Sequence, residues 1–144
     1  RHRVGLVVDV RSRPYSRHCP QYNRETLDAA LDAADVRYLH LGDALGGRPR
    51  EAGCTDPSGR MCYDLVRQKE FFEAGIRRLI EEAGGARTCL LCAEEDPARC
   101  HRHRLIAPAL TARGVGLGHI RSDGRIEPDE SVALRATGGQ LSLL

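Results

Sequence analysis

The stretch LLCAEEDPARCHRHRLIAPAL, Leu90 to Leu110, runs from an apolar segment through a short acidic loop into a helical pattern. Its apolar lead-in, RTCLLCA from Arg87 to Ala93, has the length and character of a buried strand. Asp96 is a good N-cap. Pro97 sits at the first helical position and opens a helix expected to reach about Arg113, where Gly114 stops it. A strand that hands the chain to a helix N-terminus is the repeating unit of α/β proteins, and ligands collect at that junction.

The same alternation recurs on either side. GLVVDV (Gly5–Val10) reads as a short, β-branched, buried strand, and Pro14 and Pro20 keep the following loop irregular. Asn23 is placed to cap a helix through Ala34, with Leu27, Ala30, Leu31 and Ala34 on one face. VRYLHL (Val36–Leu41) reads as a second strand. A glycine-rich connection from Leu41 to Arg60 follows, long enough to suggest a functional loop. Tyr63 to Ala83 carries one helical stripe (Leu65, Phe72, Ile76, Leu79, Ile80, Ala83), closed by Gly84-Gly85. VGLGHI (Val115–Ile120) reads as a further strand, Ser122-Asp123-Gly124 as a turn, and 121–144 as a weakly patterned tail. This order predicts a single α/β domain over 1–144 with its core in 4–120. Three layers are expected: a mainly parallel sheet of about four strands between helices, Rossmann-like. Such a sheet gathers its strand C-termini on one edge, here Asp9, Arg11, His40, Cys92, Glu94, His119 and Arg121.

Composition narrows the function classes. The chain has 144 residues, 41% hydrophobic and 29% charged, as in ordinary globular proteins. No apolar run approaches the roughly 18 residues of a membrane span. A net charge of +2 and 4% aromatic residues give neither a basic stripe nor a stacking platform, so nucleic acid is a weakly supported partner. Lys69 is the only lysine, and the other basic residues are arginines, the side chain suited to bidentate anion binding. Six cysteines in a chain of this length and patterning read as reduced thiols, which points to the cytoplasm.

The densest chemistry lies around Cys100. This thiol, with His101 and Arg102 beside it near a helix N-terminus, is suited to act as a thiolate nucleophile. On an unbroken helix, however, Cys100 would lie opposite the buried face of Leu105, Ile106, Ala109 and Leu110, and Arg102 near that face's centre. A buried arginine needs an anion, so Arg102 reads as a structural ion-pair partner of Glu94 or Asp9, or as a clamp for phosphate or carboxylate. Cys92 closes a strand, as a buried structural thiol or as a second nucleophile or ligand. Of the adjacent acids Glu94 and Glu95, one is expected to face the site as general acid/base. Adjacent Cys100 and His101 on a helix point about 100° apart and rarely share one ion, so no metal site is assigned, although His103 adds a donor. Near the start, Asp9 with Arg11, Arg13 and Arg17 and the hydroxyls of Ser12 and Ser16 reads as an anion-binding loop or as a solvated basic turn. Gly46 and Gly47 can let a ligand approach the backbone closely. No dinucleotide fingerprint or phosphate-loop lysine is present, and the cofactor is left open.

Four ordered motifs, VDVRSRPYSR, LGGRP, CAEEDPARCHR and VGLGHI, resemble the bacterial and archaeal family catalogued as domain of unknown function 488, over about Val4 to Ile120. The resemblance carries over onto Asp9, Arg11, Pro14, Ser16, Gly46, Gly47, Cys92, Glu94, Cys100, His101 and Arg102. It implies a small cytoplasmic α/β protein and names no reaction.

These readings converge on an enzyme acting on a small anionic molecule, with nucleotide-like ones among the candidates, in a crevice at the strand C-termini, by transferase or hydrolase chemistry. Arg11, Arg13 and Arg102, with Asp9, Ser16, Gly46 and Gly47, would bind the substrate. Cys92, Glu94, Cys100 and His101 would carry the chemistry. The alternatives are a non-catalytic module that senses a nucleotide or nucleic acid, and a metal-stabilised structural protein.

Overall fold

A computed structural model describes residues 1–138. The chain forms two compact units, one from Arg1 to Cys92 and one from Ala93 onward.

The first unit is a three-stranded parallel sheet flanked by helices. Strand β1 (Leu6–Asp9) is central, between β2 (Arg37–His40) and β3 (Thr88–Leu91). Leu6, Val8 and Val10 are fully buried, as the apolar run GLVVDV requires of a strand with neighbours on both sides. The register sets Asp9 beside His40 on one side and Leu91 on the other, so all three strands end at one edge. Helix α1 (Arg24–Asp32) links β1 to β2. Asn23 stands at its N-cap position, but the Asn23 side chain accepts from Ser16 N–H and caps nothing in the helix.

The long connection after β2 is not a structureless loop. It holds the short helix α2 (Gly42–Leu45) and a Thr55–Met61 bridge closed around Asp56. The single helix expected over 63–83 is two: α3 (Tyr63–Arg67) and α4 (Glu70–Ala83), with Lys69 extended between them. Six residues at ~100° each put Val66 and Phe72 on different faces of a continuous helix. The break buries both, Val66 at 0% and Phe72 at 1% exposure, and leaves Leu65 only half-buried.

The second unit departs further from expectation. The helix predicted from Pro97 to Arg113 is interrupted. A 3-10 turn (Pro97–Arg99), capped by Asp96 through Ala98 N–H, ends at Cys100, which is extended with φ −110° and ψ 145°. A π-helical turn (Arg102–Ile106) then leads into α5 (Ala107–Thr111). VGLGHI is not a fourth strand of the parallel sheet. Only Gly118–Ile120 is extended, as β4, and it pairs antiparallel with β5 (Ile126–Pro128) in a sheet of its own. The Ser122-Asp123-Gly124 turn joins the two, with Gly124 at φ +81°, a conformation suited to glycine. The tail is better ordered than its pattern suggests: β5 is followed by α6 (Asp129–Ala136). Its last part, 139–144, lies outside the described residues. Among the described residues no helix is long and apolar enough to cross a membrane.

Candidate functional site

The predicted residues fall into one cluster in each unit. In the first, Asp9 ends β1 with no solvent exposure. Its Oδ1 accepts from Arg11 Nε at 2.8 Å. Its Oδ2 accepts from Arg11 Nη2 and Tyr38 Oη, each at 2.6 Å. Burial pushes the Asp9 carboxyl up, but the bonds from Arg11 and Tyr38 together outweigh it and hold the group below its ordinary value. Burial and the same bond to Asp9 push the Tyr38 phenol strongly up, so it stays a donor. Arg11 spends a further donor on the Tyr22 carbonyl at 2.9 Å. It is therefore the counter-ion of Asp9 and fixes the loop to β1.

Around this pair the backbone is tightly drawn. His40 Nε2 lies 3.1 Å from the Arg11 carbonyl, and Ser12 Oγ accepts from Arg48 N–H at 3.1 Å. A Cβ at Gly42 would run into the Arg11 carbonyl and His40 Nε2, and one at Gly46 into Ser12 Oγ and the Gly42 carbonyl. Gly46 is thus closely approached by Ser12 and by the Gly42 carbonyl. Gly47 contributes its carbonyl, which accepts from Tyr63 Oη at 3.4 Å. Ser16 Oγ accepts from His18 and Cys19 N–H and shapes a turn. Arg13 is exposed and bonded to none of the described residues, as a binding side chain or a solvated one would be. Cys92, half-buried, directly follows β3. Two members of this cluster escaped the sequence reading. Tyr38 is a strand aromatic of ordinary appearance, and Gly42 was passed over in favour of the glycine pair.

In the second unit the break at Cys100 makes the site. Cys100 is 1% exposed, and the helical-wheel argument that turned it outward does not apply to an extended residue. Its sulfur accepts from Arg102 N–H at 3.4 Å and from Arg102 Nε at 3.2 Å, with His101 Nδ1 3.9 Å away. Arg102 Nη2 donates to the Glu94 carbonyl oxygen at 2.7 Å. Glu94 thus meets Arg102 through its backbone, and Arg102 forms no ion pair with a carboxylate among the described residues. Two N–H donors, one from a guanidinium, converge on a buried sulfur. That arrangement favours negative charge on the thiol, while its burial shields the sulfur from solvent.

Glu94, Cys100 and His101 also each offer a ligand atom within 4.8 Å of the others. The extended Cys100 removes the geometric objection to adjacent Cys and His ligands, and the donor set suits zinc. Glu95 takes a different part. Its carboxylate accepts from Arg121 Nε and Nη2, each at 3.0 Å, and from Ser122 N–H. Arg121 and Ser122 hold it down to about 2. Arg121 also bonds Glu127, and Arg135 joins Glu127 to Asp96, tying the Asp96 cap to β5 and α6.

Residues 1–108 match the family described as Domain of unknown function DUF488. The chain belongs to that family. No curated protein and no solved structure gives a significant match. The DUF488 match takes in both clusters, from Asp9 to Arg102, and stops short of VGLGHI, the last of the four motifs that carry the resemblance. In this DUF488 chain β4, β5 and α6 all lie beyond the matched residues.

Proposed function

We propose that the chain is an enzyme of transferase or hydrolase type, acting on a small anionic substrate with Cys100 as nucleophile. One observation carries this reading: Arg102, half-buried and without a carboxylate partner among the described residues, directs its Nε–H at a buried cysteine sulfur. A guanidinium N–H directed at a sulfur favours the thiolate, and the same cation can attract an incoming anionic substrate. The sulfur attacks an electrophilic carbon or phosphorus and forms the new bond. The bond to the leaving group breaks, and His101, having taken the thiol's proton, returns it to the leaving group. Water or a second acceptor then releases the transferred group. None of the six cysteines forms a disulfide, which supports a cytoplasmic setting.

Acetyl phosphate, a small anion with both an acyl and a phosphoryl centre, tests the reading. The expected result is a single acetyl or phosphoryl adduct on Cys100 by peptide mass spectrometry. It should be lost in Cys100→Ser and formed at least tenfold more slowly in Arg102→Gln. Adducts spread over the exposed Cys19 and the other thiols, unaffected by Arg102→Gln, would overturn it.

A second reading, a non-catalytic module for a nucleotide or nucleic acid, draws on the first unit. There a cavity of about 360 Å³ is lined by Ser12, Gly42, Arg48 and Arg50 together with Asp43 and Glu51. Acidic groups among the arginines favour a small ligand over a polyanion. A binding constant that falls steeply with salt would favour nucleic acid instead.

A further inference from the structure

We propose that His103, His119 and Asp129 form a binding site for a divalent transition-metal ion of the zinc or ferrous class. The inference is independent of the Cys100 reading, and all three residues lie in the second unit. His103 comes from the π-helical turn, His119 from β4 and Asp129 from the first position of α6. Three elements far apart in sequence therefore deliver two imidazoles and a carboxylate to one point.

The geometry is convergent. Asp129 Oδ1 accepts from His103 Nδ1 at 2.6 Å and from His119 Nε2 at 2.7 Å, and the two rings stand edge to face with centroids 6.1 Å apart. One ligand atom from each residue lies within 4.8 Å of the other two. Two ring nitrogens aimed at a single carboxylate oxygen enclose the position a cation would take. Metal–ligand bonds of about 2.0–2.2 Å at tetrahedral angles set ligand atoms roughly 3.3 Å apart. The nitrogens would thus withdraw by less than about 1 Å to admit the ion. Each imidazole would coordinate as the neutral ring, its N–H moved to the other nitrogen, so the site needs no additional charge.

Burial divides the roles of the ligands. The His119 side chain is 3% exposed and anchors the site, while His103 and Asp129 keep 16% and 20% exposure. Three protein ligands with a solvent-facing side leave a coordination position open for water or a substrate atom, as in catalytic rather than structural zinc sites. Two imidazoles and one carboxylate, with no sulfur, select zinc or ferrous ion over magnesium or calcium, which favour all-oxygen sites. The π-helical turn serves both clusters: Arg102 is directed to Cys100 and Glu94, and the next residue, His103, to Asp129. His103 lies within the residues matched by the family, 1–108, and His119 and Asp129 lie beyond them.

Cobalt(II), a visible substitute for zinc, tests the proposal on the full chain, with the Cys100→Ser variant as background to silence the neighbouring thiol. The expected result is one equivalent bound with ligand-field bands and no thiolate charge-transfer band. Affinity should fall at least tenfold in His103→Gln and in Asp129→Asn, and zinc should raise the melting temperature of the parent but not of these variants. Circular dichroism checks that each variant folds, and the part-exposed His103 serves if a change at Asp129 unfolds the chain. Absence of binding in the Cys100→Ser background would overturn the proposal. So would cobalt bound with equal affinity in His103→Gln.

Discussion

Asp9 carries the heaviest electrostatic demand in the first unit. A fully buried carboxylate is tolerable only because Arg11 and Tyr38 supply three short hydrogen bonds. Tyr38→Phe removes one of them and should cost about 1–3 kcal/mol in urea unfolding. Asp9→Asn strands the Arg11 charge at 13% exposure and should cost about 3–5 kcal/mol. Equal, small effects from both would show that the network is slack. Gly42→Ala drives a methyl into the Arg11 carbonyl and should cost about 1–3 kcal/mol, whereas Gly85→Ala, where a Cβ meets open space, should be near neutral. Asp9 and Arg11 were legible because an acid and an arginine closing a buried strand have few alternatives to each other. Tyr38 was not, because its partner lies on a neighbouring strand and nothing in local spacing reports pairing across strands.

At the scale of elements, the breaks decide function. Periodicity located the helical region after Pro97, but a pattern of period 3.6 cannot show that one residue within it is extended. Cys100 is that residue, and its carbonyl restarts the helical ladder by accepting from His103 and Arg104 N–H. The wheel therefore misplaced the thiol and missed its approach to Glu94 and His101. The same blindness merged α3 with α4. Between β4, β5 and α6, the arginines 121 and 135 link Glu95, Glu127 and Asp96. Glu95 is held at about 2 by Arg121, against an ordinary 4.5. A depressed carboxyl stabilises the folded chain above its unfolded value, and that contribution disappears as pH falls from about 4.5 through about 2. Urea midpoints of the parent and of Arg121→Gln should therefore differ most near pH 6 and converge near pH 2. A gap constant across that range would mean that Arg121 acts by packing alone.

For the molecule as a whole, the α/β class and the shared edge of three strand ends followed from short β-branched runs alternating with helical stripes, but His119 and Arg121, expected on that edge, lie in and after β4 of the second sheet. Strand count did not. Val115 to Ile120 has strand composition, and only its pairing with Ile126–Pro128, across a turn at Gly124, shows that it belongs to a second sheet. The family match from 1 to 108 covers the Asp9 and Cys100 clusters and His103 but not this sheet, and nothing in local spacing reports that His103, His119 and Asp129 meet. The central claim is that Arg102 places positive charge at the Cys100 sulfur. Alkylation by iodoacetate and by iodoacetamide, two reagents of similar size that differ in charge, tests it most directly when rates are resolved peptide by peptide. Relative to exposed Cys19, Cys100 should prefer the anionic reagent by about tenfold, a modest share of the Coulomb attraction at such range, and Arg102→Gln should abolish the preference. The same rate ratio at Cys100 and Cys19 in the parent protein would contradict the account.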